Sequence, residues 1–341
     1  MCEPVSVVIT CYNLDRYIGS AVKSVLDQIY PGEIQVIVVD DRSTDDSRSI
    51  LDAFSVIERI DLPANGGVMQ AMIAGLRACR HDVVLFLDGD DVWSPNKVAR
   101  AMEAIGPGVK FCTHDLWYMD ELSQRLPRDS RVSEVMSEAQ KSDHNNLIAE
   151  CLLRHLDYVW LGSAFGVRRS LGDLEGFLEF CSKREYLRTC YQDWPLAVWV
   201  ATSPNGRMAY IDEKLFGYRI HNENYSGAVQ TLEKRRRNLR KSLDTSQLIF
   251  EIVSERECPP SIVNDANALR MNYQVQLSCA EENRCGMLRS AIANWQGLVH
   301  HGSQLSNFLR LAMFFALGGN AANATLRAAH HARASFRRGR E

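Results

Sequence analysis

Val83-Val84-Leu85-Phe86-Leu87-Asp88-Gly89-Asp90-Asp91 decides how the rest of the chain is read. Its first five residues form a short apolar run rich in Val, Leu and Phe, the pattern of a buried strand. The run stops in three carboxylates. Residues two apart on an extended chain point the same way. Asp88 and Asp90 are therefore expected to form a hard-oxygen pair suited to Mg²⁺ or Mn²⁺. A cation held there needs an anionic partner of its own, and a diphosphate meets that need.

Upstream, Val5-Ser6-Val7-Val8-Ile9 and Ile34-Gln35-Val36-Ile37-Val38-Val39 read as strands, with a short third over 56–60. Helices are expected over 15–28, 43–54 and 68–79. The second would be capped by Ser43 or Thr44, with Asp45 and Asp46 in its first turn. Strands alternating with helices predict an α/β fold, a parallel sheet covered on both faces. In such sheets ligands bind beyond the carboxyl ends of the strands. Four polar clusters fall at or just after those ends: Thr10-Cys11-Tyr12-Asn13, Asp40-Asp41, Asn65-Gly66-Gly67 and Asp88-Gly89-Asp90-Asp91. Each alone has a plainer reading as a turn or helix cap. Aligned on one sheet edge, they make a nucleotide crevice.

The middle of the chain is less regular. A strand is expected over 110–113, a polar surface excursion over 123–146, and helices over 149–155 and 192–200. Short strands follow at 208–211 and 215–219. From about residue 230 the pattern is almost continuous helix. It opens on Lys234-Arg235-Arg236-Arg237 and is broken at Pro259-Pro260.

Composition narrows the function classes. The 341 residues suffice for one large domain or two smaller ones. With 39 Lys and Arg against 42 Asp and Glu, the net charge is −3, which argues against nucleic acid as the main partner. The ten cysteines are scattered with no CxxC pair, which argues against a zinc knuckle, and buried, reduced thiols are expected. The start runs straight into a strand pattern rather than a signal peptide. No run reaches the ~20 apolar residues of a membrane span. A cytoplasmic protein is expected. Residues 307–338 mix apolar side chains with Arg and His. They read either as a peripheral contact with the inner face of the membrane or as a surface packed on the protein's own domain or a second copy.

Taken together, VSVVITCYN, VIVVDDRSTDDS, NGG and VVLFLDGDD resemble the inverting, metal-dependent glycosyltransferases of family 2, which have the GT-A fold. Later, Tyr191-Gln192-Asp193-Trp194-Pro195-Leu196 resembles that family's ED-type base motif, and Phe216-Gly217-Tyr218-Arg219-Ile220-His221 its YRxH segment. The resemblance covers roughly residues 5–226. It implies a GT-A-type, Rossmann-like and mostly parallel central sheet flanked by helices. The domain would span 1–226, with a nucleotide-sugar half (1–105) and an acceptor half (106–226), followed by an α-helical C-terminal extension (227–341).

The same resemblance implies residue roles. Asp40 or Asp41 would accept a hydrogen bond from the base, and Tyr12 would pack against it. Thr10, Asn13 and Asn65 would line the nucleotide site. Asp88 or Asp90 would hold the ribose. The metal, Mn²⁺ or Mg²⁺, would be held by carboxylates among Asp90, Asp91 and Asp88, with His221 either a further ligand or a donor to the diphosphate, and Arg219 would reach a phosphate. Asp193 would be the general base. An Asp with the usual pKa of about 3.9 is a poor base for a hydroxyl in the ground state. Gly162-Ser163-Ala164 would either lie under the donor sugar or make a tight strand entry, and Trp160, Trp194 and Trp199 would either stack on sugar rings or belong to the core. Two departures stand out. Met72 and Ile73 occupy the positions of an Arg-Asn pair found in many relatives, and Gln192 replaces the usual Glu.

The expected activity is transfer of a sugar from a nucleotide-diphosphate donor, a UDP-sugar first, to a hydroxyl on a saccharide or lipid-linked acceptor, in polysaccharide or glycoconjugate synthesis. Two alternatives remain open. One is a nucleotidyltransferase, although no Lys or Arg follows the first strand before Arg16. The other is a non-catalytic nucleotide-sugar-binding or scaffold protein acting through its basic helices.

Overall fold

The computed structural model describes residues 2–128, 130, 132, 161–221 and 231–281. β1 (Val5–Cys11) lies between β2 (Ile34–Asp40) and β4 (Val83–Asp88), parallel to both, and β3 (Glu58–Asp61) runs parallel to β2 at the edge. On the other side, β7 (Gly166–Arg168) is antiparallel to β4 and to β6 (Val109–Met119). β8 (Arg207–Arg219) is parallel to β6, and β5 (Val92–Trp93) is antiparallel to β8. The sheet order is β3-β2-β1-β4-β7-β6-β8-β5.

The parallel half folds as its pattern dictates. Strands covered on both faces cannot alternate polar with apolar residues, and β1, β2 and β4 are almost wholly buried. α1 (Ile18–Leu26) and α3 (Val68–Ala78) follow β1 and β3 and bury one face each. The register sets Thr10 beside Asp88 and Cys11 beside Asp40, so the polar strand ends finish level on one edge.

Several expectations need correction. The helix expected over 43–54 is only α2 (Ser47–Leu51). Ser43 does not cap it. Its Oγ accepts from Asn13 N at 2.9 Å, Ser47 Oγ accepts from Leu14 N at 2.9 Å, and Asp45 Oδ2 accepts from Asp15 N at 3.0 Å. These polar side chains hold the loop after β1 against the loop after β2, a long-range use that local propensity does not encode. The two strands expected at 208–211 and 215–219 are one strand, β8, whose register against β6 slips around Asp115. The polar stretch Asp212-Glu213-Lys214 at that irregularity hides its continuity in the sequence.

α4 (Lys97–Ala104), α5 (Arg169–Gly172) and α6 (Leu174–Ser182) add to the helical layers, and the helix expected over 192–200 is α7 (Asp193–Thr202). The prolines divide α8 (Leu232–Glu255) from α9 (Pro260–Ala280), with Pro260 as the first residue of α9, where its missing N–H is harmless. Leu248, Ile249, Ile252 and Val253 of α8 and Ile262 and Ala266 of α9 join the same apolar core as the sheet. Cys11, Cys79, Cys112, Cys181 and Cys190 are free and buried. Among the described residues no helix is long and apolar enough to cross a membrane. The helix expected at 149–155, most of the excursion at 123–146, Trp160 and the segment 307–338 lie outside the described residues.

Candidate active site

The turn after β4 closes tightly on β1. Gly89 N donates to Thr10 O at 2.9 Å, and a Cβ on Gly89 would sit 2.6 Å from that oxygen. Glycine is thus required by close approach. Asp91 is turned inward. Its Oδ2 accepts from Ser163 Oγ at 2.6 Å and its Oδ1 from Arg219 N at 2.9 Å. Ser163 Oγ also accepts from Asp88 N at 3.0 Å. The third carboxylate therefore braces the turn against the single helical turn Gly162–Ala164 and the end of β8. Burial, with Asp90 and Asp88 nearby, pushes the Asp91 carboxyl well above its usual range.

Asp90 faces His221, with Oδ2 3.0 Å from Nε2. The Tyr17 ring packs 4.9 Å from that imidazole and 4.7 Å from the Arg219 guanidinium carbon. Arg219, which sequence reasoning aimed at a phosphate, is 1% exposed. Its Nε donates to Asp90 O at 2.6 Å, and one terminal nitrogen donates to Asp120 O and Glu121 O, both at 3.3 Å, and to Ser123 Oγ at 2.9 Å. It clamps the acidic turn to the loop after β6.

Asp88 meets the base candidate through Gln192. Gln192 Nε2 donates to Asp88 Oδ1 at 2.9 Å, and Thr10 Oγ1 donates to the same oxygen at 3.3 Å. Burial, and the negative charges of Asp90 and Asp193, raise the Asp88 pKa to about 8. Asp193 opens α7. Its Oδ1 accepts from Trp194 N at 2.9 Å, and burial raises its pKa to about 7. The departure from Glu to Gln now has a physical account. A carboxylate at Gln192 would face Asp88 with charge repulsion, whereas the amide donates a hydrogen bond. The sequence singled out Gln192 and Gly162-Ser163-Ala164, but not the bonds of Gln192 to Asp88 or of Ser163 to Asp88 and Asp91, whose partners lie at least 72 positions away.

A second cluster lies at the ends of β1 and β2. Asp40 is fully buried, and its Oδ2 accepts from Ser43 N at 3.0 Å and Arg48 Nε at 2.8 Å. Its Oδ1 has no hydrogen-bond partner among the described residues. Asp41 Oδ1 accepts from Gly66 N at 2.6 Å and Oδ2 from Gly67 N at 2.8 Å, while Asn65 Nδ2 donates to Asp41 O at 3.4 Å. Asn13, at φ 53°, accepts from Thr44 N at 2.8 Å. Tyr12 is 46% exposed at the rim. Gly67 has φ 81°, and a Cβ there would fall 2.1 Å from Arg188 O. Gly67→Ala is expected to destabilise the protein by about 1–3 kcal/mol through that clash and the left-handed backbone. An unchanged thermal midpoint would refute this.

Trp194 and Trp199 are both 6% exposed, the first packed against Tyr191 and the second against Phe177 and Phe180. They are core residues. Among the described residues no three His, Cys, Asp or Glu side chains are grouped to hold a metal ion.

Comparisons with known proteins agree with this geometry. The family model described as Glycosyl transferase family 2 matches residues 6–151. An uncharacterised glycosyltransferase of Nostoc sp. (strain PCC 7120) is 30% identical over 67% of this chain and 69% of its own. The putative teichuronic acid biosynthesis glycosyltransferase TuaG of Bacillus subtilis is 31% identical over 65% of this chain and 81% of its own. WfaP of Escherichia coli, described as a UDP-Glc:alpha-D-GlcNAc-diphosphoundecaprenol beta-1,3-glucosyltransferase, is 26% identical over 44% of this chain and 57% of its own. The crystal structure of S. aureus TarS 1–349 superposes with a TM-score of 0.59 at 15% identity, over 96% of this chain and 92% of that one, which is a likeness of fold. The GT-A arrangement expected from the sequence is thus present. The polar strand ends, the mostly parallel sheet and these relatives converge on one conclusion: the chain belongs to glycosyltransferase family 2, and its activity is the transfer of a sugar.

Proposed function

We propose that the protein is a metal-dependent inverting glycosyltransferase that takes a UDP-sugar as donor and a hydroxyl of a saccharide or lipid-linked saccharide as acceptor. Residues 1–226 would be the catalytic unit and 227–341 a helical extension. The observation that carries this reading is the meeting of Asp88, Gln192 and Asp193 at one strand end, with Asp193 raised to about 7. The E. coli relative's described donor and lipid-diphosphate acceptor support the substrate classes.

Whether the residues suit a divalent cation can be judged from their chemistry. Asp90 and His221 converge at 3.0 Å, Asp88 feels the negative charges of Asp90 and Asp193, and carboxylate oxygen with imidazole suits Mn²⁺ or Mg²⁺. Asp91 has both oxygens engaged by Ser163 and Arg219 and supports the turn. With only a converging pair in place, the donor's own phosphates would complete the ligand set. When bound, such an ion neutralises charge on the departing nucleotide diphosphate.

The protein's own groups do the rest. Asp41, held by the Gly66 and Gly67 N–H groups, keeps lone pairs for a base N–H. Tyr12 covers the base, and Thr10, Asn13 and Asn65 border it. Asp88, fixed by Thr10 and Gln192, orients the ribose and sugar. The acceptor oxygen attacks the anomeric carbon on the face opposite the leaving diphosphate, and the carbon–oxygen bond to phosphate breaks as the new bond forms. The proton of the acceptor hydroxyl passes to Asp193. One displacement inverts the configuration.

Calorimetry with UDP tests the donor reading. Binding is expected to strengthen at least tenfold when Mn²⁺ is added and to return to the metal-free value with a chelator. Equal affinity under all three conditions would remove the metal from the reading. No response to UDP, with GDP or dTDP binding instead, would remove the uridine assignment.

A further inference from the structure

α8 packs against the segment just before Asp193 and lies outside the residues matched by the family model. Tyr191 N donates to Thr245 Oγ1 at 2.9 Å, and Thr189 Oγ1 donates to Asp244 Oδ2 at 2.6 Å. These two bonds fasten the helix to the segment that leads directly into Asp193. On the same face, Lys241 Nζ stands 5.7 Å from the centre of the Tyr191 ring. Arg237 lies one turn earlier, at the i,i+4 spacing that makes neighbours on a helix.

The charges on this helix are settled unevenly. Arg240 pairs with Glu281 at 2.6 Å, and Arg236 Nε donates to Ala280 O at 2.8 Å. Asp244, the carboxylate nearest Lys241 along the helix, is bonded to Thr189. Among the described residues no carboxylate pairs with Arg237 or Lys241. The chain as a whole is net acidic, so two adjacent unpaired cations are not a general surface property. Lys241 is also half-buried, and that burial, with the like charge of Arg237, lowers its pKa. A partly desolvated cation beside a second cation is unfavourable until an anion joins them.

We propose that Arg237, Lys241 and Tyr191 form an acceptor-side subsite for a phosphate group carried by the acceptor next to the sugar that is extended. Two like charges match a phosphate or diphosphate better than a single carboxylate, and the Tyr191 ring, itself packed on Trp194, fixes where the Lys241 ammonium stands. The donor's diphosphate belongs to the other side, at Asp90 and His221. The inference rests on the transferase reading, because it is Asp193 that makes this flank the acceptor side.

The test uses the full chain and two phosphate sources. Binding of glycerol 3-phosphate is followed by ³¹P NMR, and binding to phosphatidylglycerol vesicles by co-sedimentation, with phosphatidylcholine vesicles as the neutral control. Wild type is compared with Lys241→Gln, Arg237→Gln, the double variant and Arg207→Gln, which removes one exposed charge on β8 instead. Glycerol 3-phosphate is expected to bind about tenfold more weakly to Lys241→Gln and more weakly still to the double variant, with Arg207→Gln within about twofold of wild type. If vesicle binding falls in parallel and glycerol 3-phosphate competes with it, the phosphate is lipid-borne. If the soluble probe alone shows the loss and no protein binds vesicles, the acceptor phosphate is soluble. Equal affinity of wild type and double variant for glycerol 3-phosphate would overturn the subsite. So would vesicle binding that the soluble probe does not displace. UDP calorimetry is scored separately: no UDP binding by wild type would sink the donor reading, and the ³¹P comparison would still decide the subsite.

Discussion

Asp193→Asn is expected to lower sugar transfer by about 10²–10⁴-fold while leaving UDP affinity within about twofold. The amide keeps the shape of the side chain and its bond from Trp194 N, but cannot take a proton from the acceptor. The wild-type pH profile carries the same test. Burial raises Asp193 to about 7, so its base form accumulates only as the pH rises through that value. The acid limb of kcat/KM should fall near pH 7, about three units above that of an exposed Asp. A rate independent of pH between 5 and 8 would exclude Asp193 as the base. Stability should move in the opposite direction to activity. A carboxyl whose folded pKa lies above its unfolded one stabilises the fold at pH values below about 4 and loses that contribution as the pH rises to about 7. The thermal midpoint of Asp193→Asn should therefore gain on wild type across that window and stay higher above it. A lower midpoint at pH 8 would show that Asp193 is held by contacts other than those described.

Arg219→Leu should be the most damaging single change outside the chemistry. The guanidinium is buried among the carbonyls of Asp90, Asp120 and Glu121; leucine would remove its bonds to all three, leaving Asp120 O only its bond from Ser123 N at 3.0 Å. The expected loss is about 3 kcal/mol, or roughly 6–12 °C in thermal midpoint for a domain of this size. Arg219→Lys, which keeps a charge but not the planar fork, should fall between the two. Since Asp90 O is one of the carbonyls held, UDP and Mn²⁺ binding should weaken with stability. A variant with a wild-type midpoint and lost UDP binding would instead return Arg219 to the phosphate-contact role inferred from the sequence.

The parallel half of the fold was legible because its determinants are local. Val83 to Leu87 is apolar without interruption, Gly66 and Gly67 mark a turn, and the acidic residues stand directly after strands. The second half was read less well. β8 appeared as two strands because Asp212, Glu213 and Lys214 interrupt its apolar pattern where it slips against β6. Ser43 looked like a helix cap and Asp45 like a first-turn residue, yet Ser43 accepts from Asn13 N and Asp45, which lies before the helix, accepts from Asp15 N. In both places a residue's partner lies about thirty or more positions away, or on another strand, where no window of sequence reaches.

By itself the sequence determined the mostly parallel sheet, the alignment of acidic residues along one edge and the family, since each follows from apolar periodicity and from motifs that sit beside one another in the chain. Tertiary structure alone decided which partners each charged group has there. It turned Asp91 and Arg219 into braces, joined Asp88 to Gln192 across the fold, and raised Asp193 to about 7. The reason is physical: burial and pairing set the charge state of an acid or base, and both depend on neighbours that only the folded chain brings into contact.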